Sequence, residues 1–176
     1  MYDMTAQLRD IPDDHMNAKT IIVSCGVLNF EDSNYSKRKC KEVQKYLHHD
    51  PTSYDRNDWC DKVEPGKISS DKELMKKIRM SLAYNYPDLV KDRNVMIVDC
   101  TLLHDPDADK GLRGHAGTHP KICQGVVWHK KFLTAQQQLQ NFDHAGKNLI
   151  VNMCKSGRHR AEAMKRVQRQ PIAKYF

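Results

Sequence analysis

Asn148-Leu-Ile-Val-Asn-Met-Cys154, followed at once by Lys155-Ser-Gly-Arg-His-Arg160, is the stretch on which the fold turns. Its first half is short, almost continuously apolar and rich in branched side chains, the pattern of a strand buried on both faces. Two other runs share it: Thr20-Ile-Ile-Val-Ser-Cys-Gly26 and Asn94-Val-Met-Ile-Val-Asp-Cys100. Strands covered on both faces belong to parallel sheets, whose crossover connections put helices on each side.

The intervening sequence supplies helical patterns. Cys40, Val43 and Leu47 lie near helical spacing within Ser36 to His48. Ser70 is a suitable N-cap for a helix over Asp71 to Tyr84, which would put Leu74, Ile78 and Leu82 on one stripe. Thr134 is placed to cap Ala135 to Phe142, and a basic helix is expected from about Arg158 to Arg169, with Pro171 ending it. Alternation of this kind predicts an α/β domain with a mainly parallel sheet and flanking helices. Residues 1–18 read as a flexible tail and 19–176 as a single domain, with an insertion or divergent region at about 27–93. Asp50 to Lys67, with Pro51, Pro65 and Gly66, reads as a long loop inside that region.

Composition narrows the function. The chain has 176 residues, enough to bury a core, and its 39% hydrophobic and 29% charged content is that of a globular protein. No apolar run is long enough to span a membrane, and the polar, acidic start resembles neither a secretory signal nor a basic transit peptide. A cytoplasmic protein without a membrane partner is the expectation. The six cysteines, at 25, 40, 60, 100, 123 and 154, show no close pairs and read as free thiols. His115 and His119 are four apart, with His104, Cys123 and His129 nearby, but no CxxC or HExxH accompanies them, so neither metal nor cofactor is expected.

The net charge of +7 favours phosphorylated or polyanionic partners. Cys154 to Arg160 is where an anion would sit. The loop leaves a strand and enters a helix, so backbone N–H groups and the positive end of the helix dipole converge there. Gly157 permits a tight turn, while Lys155, Arg158 and Arg160 bring charge, and a guanidinium can grip phosphate with two hydrogen bonds. Ser156 and His159 complete the loop. Ser24, Asp99 and Cys154 all end their strands, so the loops after them should meet at the carboxyl edge of the sheet. Arg113, His115 and His119 on the middle loop would then close over the anion.

Two families resemble these motifs. Read as C-x5-R, the loop resembles that of cysteine-dependent dual-specificity phosphatases, which would make Cys154 a nucleophile and Arg160 a phosphate clamp. That family's His before the cysteine is Met153 here, and its hydroxyl residue after the arginine is Ala161. A general acid would have to come from Asp105, Asp107, Asp109 or Asp143. The closer resemblance is to the C-terminal domain of the RapZ family of RNase adapter proteins, whose loop reads approximately C-T-G-G-x-H-R-S. Cys154, Gly157, His159 and Arg160 match it. Asp99-Cys-Thr-Leu-Leu103-His-Asp-Pro106 and Leu112-Arg113-Gly-His-Ala-Gly117-Thr-His-Pro120 resemble that family's D-x-R-x-L-x-N-P and L-R-x-x-T-G-x-D, and Ser24-Cys25-Gly26 its S-F-G. Thr101, Asp105, Ala116, His119 and Ala161 depart from those motifs. The likeness covers roughly residues 20–26 and 94–165. No GxxxxGK[ST] occurs, so the family's nucleotide-binding half has no counterpart in this sequence.

That resemblance implies binding of a phosphorylated small molecule, in particular a phosphosugar, and contact with RNA. The RNA expectation falls on the C-terminal helix, where seven Lys or Arg after Cys154, among them Lys165, Arg166 and Arg169, face one acid, Glu162. No strand interleaves basic and aromatic residues, so base stacking is not expected. A homo-oligomer is compatible with the sequence.

Overall fold

A computed structural model describes residues 18–26, 65–106, 109, 111–112, 114–139, 145–155 and 157–169. Residues 1–17 of the expected 1–18 tail, the helix over 36–48, most of the loop at 50–67 and the stop at Pro171 lie outside them, as do Cys40, Cys60, Arg113 and Ser156. The three apolar runs are strands, β1 (Thr20–Gly26), β2 (Asn94–Asp99) and β3 (Asn148–Cys154). All pair in parallel in the order β1-β3-β2, with Gly26 opposite Cys154 and Asp99 opposite Met153. The α/β class with a parallel sheet and flanking helices is therefore as expected.

Every residue of β3 is buried, because it has a strand on each side and helices above and below. Leu149, Val151 and Met153 face one core with Ile21, Val23 and Ile97. That core is closed by Ile68 of α1 (Lys67–Ser70), Ile78 and Leu82 of α2 (Lys72–Asn85) and Leu89 of α3 (Pro87–Val90). Ile150 and Cys154 face the other, closed by α4 (Pro120–Val127), α5 (Phe132–Gln137) and α6 (Arg160–Gln168). The described helices between β1 and β2 thus cover one face, and those between β2 and β3 the opposite face. This is what a single crossover hand requires when the direction of travel reverses. Asn152, a buried polar residue inside the central strand, donates to Gln168 Oε1 at 2.6 Å.

The helix boundaries differ from the sequence expectation. Asp71, not Ser70, caps α2: its carboxylate accepts the Leu74 N–H at 3.0 Å, while Ser70 closes the short α1 before it. Thr134 is inside α5, which begins at Phe132 because that ring is buried against β2's side of the core. Helix α4 was not expected. Pro120 at its first position and the buried Ile122, Cys123, Val126 and Val127 are its signals, and reading 112–120 as a single loop motif concealed them. No helix among the described residues is long and apolar enough to cross a membrane.

Candidate anion site

Gly157 shapes the loop after β3. Its φ is 74°, and a Cβ there would lie 2.6 Å from Gly26 N and 2.7 Å from the Cys25 carbonyl carbon. The loop therefore passes hard under the end of β1, in a left-handed conformation that only glycine adopts without strain. It leads into α6, whose N-cap His159 makes no side-chain capping bond.

The cations of the loop are differently placed. Arg160, 7% exposed, turns its guanidinium to the segment after β2: Nη1 donates to the carbonyls of Thr101 (3.3 Å) and Leu103 (3.2 Å), and Nη2 pairs with Asp105 Oδ2 at 3.0 Å. Arg158 is exposed and donates from Nη2 to Gly114 O at 2.9 Å. Lys155 is only 9% exposed, yet its ammonium has no hydrogen-bond or carboxylate partner among the described residues. The stem of the side chain is packed away while its ammonium has no protein counter-charge there, so an anion can supply one.

The middle loop is interlocked with the first. Gly117 N–H donates to Arg158 O at 3.0 Å, and a Cβ on Gly117 would fall 2.1 Å from His159 O. That approach carries the exposed His115 to the same edge; its ring lies against that of His119 at a tilt of 39°, with centroids 4.3 Å apart. Below them Cys123 Sγ donates to Gly117 O at 3.2 Å.

Ser24 and Asp99 reach the same edge but face inward. Ser24 Oγ donates to Glu162 Oε2 at 2.6 Å, and that oxygen also holds Lys165 Nζ at 2.6 Å. Asp99 is fully buried. Its Oδ2 accepts from Ser69 N–H and Oγ at 2.8 and 2.9 Å, and its Oδ1 from the Thr101 amide at 3.0 Å and from the Thr101 hydroxyl. It therefore fastens α1 and the 3₁₀ turn Cys100–Leu102 to the strand end. The contacts of Glu162 with Ser24, of Asp105 and Thr101 with Arg160, and of Gly117 with Arg158 carry no local sequence signal, because these partners are distant along the chain.

Cys25, Cys100 and Cys154 end the three strands, and all are buried and free, as is Cys123. Burial pushes the thiols of Cys25 and Cys100 well up, and the neighbouring Cys154 adds to it, against smaller opposing pulls from Lys165 on Cys25 and Arg160 on Cys100. Protonated thiols are poor ligands, and no group of three or more His, Cys, Asp or Glu among the described residues is placed to hold a metal.

No protein-family model matches the chain, nor does any curated protein or solved structure.

Proposed function

We propose that the chain binds a phosphorylated small molecule, of the phosphosugar class, on the 154–160 loop, and that the basic helix α6 contacts RNA. The observation that carries the first part is Lys155: a residue only 9% exposed whose ammonium has no partner among the described residues, on the loop that leads into a helix N-terminus with no side-chain cap. A phosphate there would neutralise Lys155, accept from first-turn amides and lie within the reach of the solvent-exposed Arg158. The phosphosugar class rests on the resemblance of the loop to the RapZ motif. The RNA contact rests on Arg166 and Arg169, since Lys165 is already paired with Glu162.

The C-x5-R phosphatase reading is the weaker one. In it Arg160 would have to grip phosphate, yet its terminal nitrogens hold Thr101, Leu103 and Asp105. Asp105, one of the acids open to it, is the partner in that pair.

Thermal unfolding in sulfate, phosphate and a sugar phosphate tests the proposal. Stabilisation should grow as ln(1 + [L]/Kd), reaching roughly 2.7 kcal/mol at a hundredfold excess over Kd. Lys155→Met should abolish most of it. An equal response in the variant would remove the loop as the site. Hydrolysis of an aryl phosphate that disappears in Cys154→Ser would instead establish the phosphatase.

A further inference from the structure

The two halves of the chain differ in charge. From residue 110 onward there are thirteen Lys or Arg and two acids, whereas residues 1–109 carry sixteen and twenty. Between residues 110 and 142 there is no acid at all. Helix α4 lies in that acid-free stretch. Its Ile122, Cys123, Val126 and Val127 are buried, which leaves Lys121, Gly125 and Trp128 as an exposed stripe at positions i, i+4 and i+7.

Trp128 is 60% exposed, and Leu133 beyond it 69%. Lys130 and Lys131 between them are exposed as well. Gly125, one turn before the indole, is not there for close packing, since a Cβ would meet nothing within 4 Å. A glycine inside a helix is destabilising relative to alanine, and here it leaves a bare ledge beside an aromatic face. Helix α6 packs on the buried side of α4, where the Arg166 charge reaches the Cys123 thiol, so its cations are a contribution separate from the exposed stripe.

We propose that the outer face of α4, from Lys121 across Gly125 to Trp128, Lys130 and Lys131, is a stacking platform for single-stranded nucleic acid. The indole takes the flat face of a base and the lysines the phosphates on either side. The proposal rests on the reading of α6 as an RNA contact and adds the aromatic element that the helix itself lacks. Charge alone would suit an acidic peptide equally. The exposed indole beside an open ledge suits a planar base, and stacking of this kind tolerates any sequence. The other exposed apolar pair, Met80 and Tyr84, belongs to α2, where the cations Lys72, Lys76, Lys77 and Arg79 are interspersed with Glu73 and follow the capping Asp71, whereas the stretch that holds α4 has no acid at all.

Binding of a short labelled oligouridylate, followed by anisotropy at several salt concentrations, tests this. Trp128→Ala should weaken binding about tenfold or more at an unchanged salt slope, because it removes a stack and no charge. Trp128→Phe should keep most of the affinity. Lys130→Ala with Lys131→Ala should lower the log–log slope by about 1.4, at ~0.7 per phosphate contact. A duplex of equal length should bind more weakly, since its bases are already stacked. Trp128 is exposed, so its variants should unfold at the wild-type temperature. Equal affinity of Trp128→Ala and wild type overturns the platform; if Arg166→Ala with Arg169→Ala still weakens binding, the α6 contact stands without it. Competition by polyglutamate as effective as by oligouridylate, with the same dependence on Trp128, overturns it in favour of an acidic protein partner. Failure of the wild type to bind oligouridylate at low salt removes both.

Discussion

Arg160 and Lys155 lie five residues apart on one loop, both buried, and differ in what surrounds them. Arg160 directs its guanidinium at two carbonyls and a carboxylate that belong to the segment after β2, so it acts as a tie between strand ends. Lys155 has no such tie among the described residues. The two should therefore respond differently to substitution. Arg160→Ala strands two carbonyls and removes one ion pair of Asp105, and should cost about 2–4 kcal/mol, tempered by the partial exposure of Asp105. Lys155→Met should leave stability without ligand unchanged or raised. Urea unfolding of both proteins in anion-free buffer checks this, and a larger loss for Lys155→Met than for Arg160→Ala would reverse the assignment. His115 and His119, read from the sequence as loop residues near the anion, do lie at that edge, but their importance to it depends on Gly117.

At the scale of elements, the site is an agreement between two loops that the sheet brings together. β3 delivers 154–160, and the chain between the 3₁₀ turn and α4 delivers 114–119. Gly117 is the contact point, with its amide on Arg158 O and no room for a methyl group against His159 O. Gly117→Ala should push the loops apart, costing about 1–3 kcal/mol as overpacking does, and should weaken the anion-induced rise in Tm more than Gly114→Ala. Gly114 is the control because a Cβ there meets nothing within 4 Å. Melting curves with and without sulfate provide the comparison, and identical responses in the two variants would show that the loops work independently. The same interlock explains why α4 escaped the sequence reading. Its first residues also serve as the end of a loop motif, and one segment satisfied both descriptions.

For the whole molecule, the carboxyl edge of the sheet is lined by buried thiols. Cys25 and Cys100 hold their protons in the folded state to well above the usual thiol value of 9.0, burial being the main cause. Above about pH 9 the unfolded chain releases protons that the folded chain keeps. Stability should therefore be insensitive to pH below that point and fall as pH rises beyond it. Urea midpoints taken from about pH 7 to 11 should show that alkaline decline, and Cys25→Ala with Cys100→Ala should flatten it. A wild-type midpoint constant across the range would mean that the thiols titrate normally.

Three strands, their parallel pairing and the loop that follows the last of them were legible in the sequence. Continuous apolar runs and a glycine between cations are local patterns, and each is dictated by the few residues that carry it. The stripe of Ile78 and Leu82 on α2 was legible for the same reason, even though its cap was displaced from Ser70 to Asp71. What only the tertiary structure decided is which groups meet. The position of β3 between β1 and β2 follows from how the helices divide over two faces, which no single run reports. Ser24 finds Glu162 at 138 residues' separation, Asp99 finds Ser69 at 30, and Arg160 finds Thr101 at 59. These pairings turn two expected ligand contacts inward and leave the Lys155 ammonium without a partner among the described residues. The exposure of Trp128 is of the same kind. An indole two and three residues before a pair of lysines fits a core or a surface equally well, and the packing of α4 against α6 and the sheet determined which.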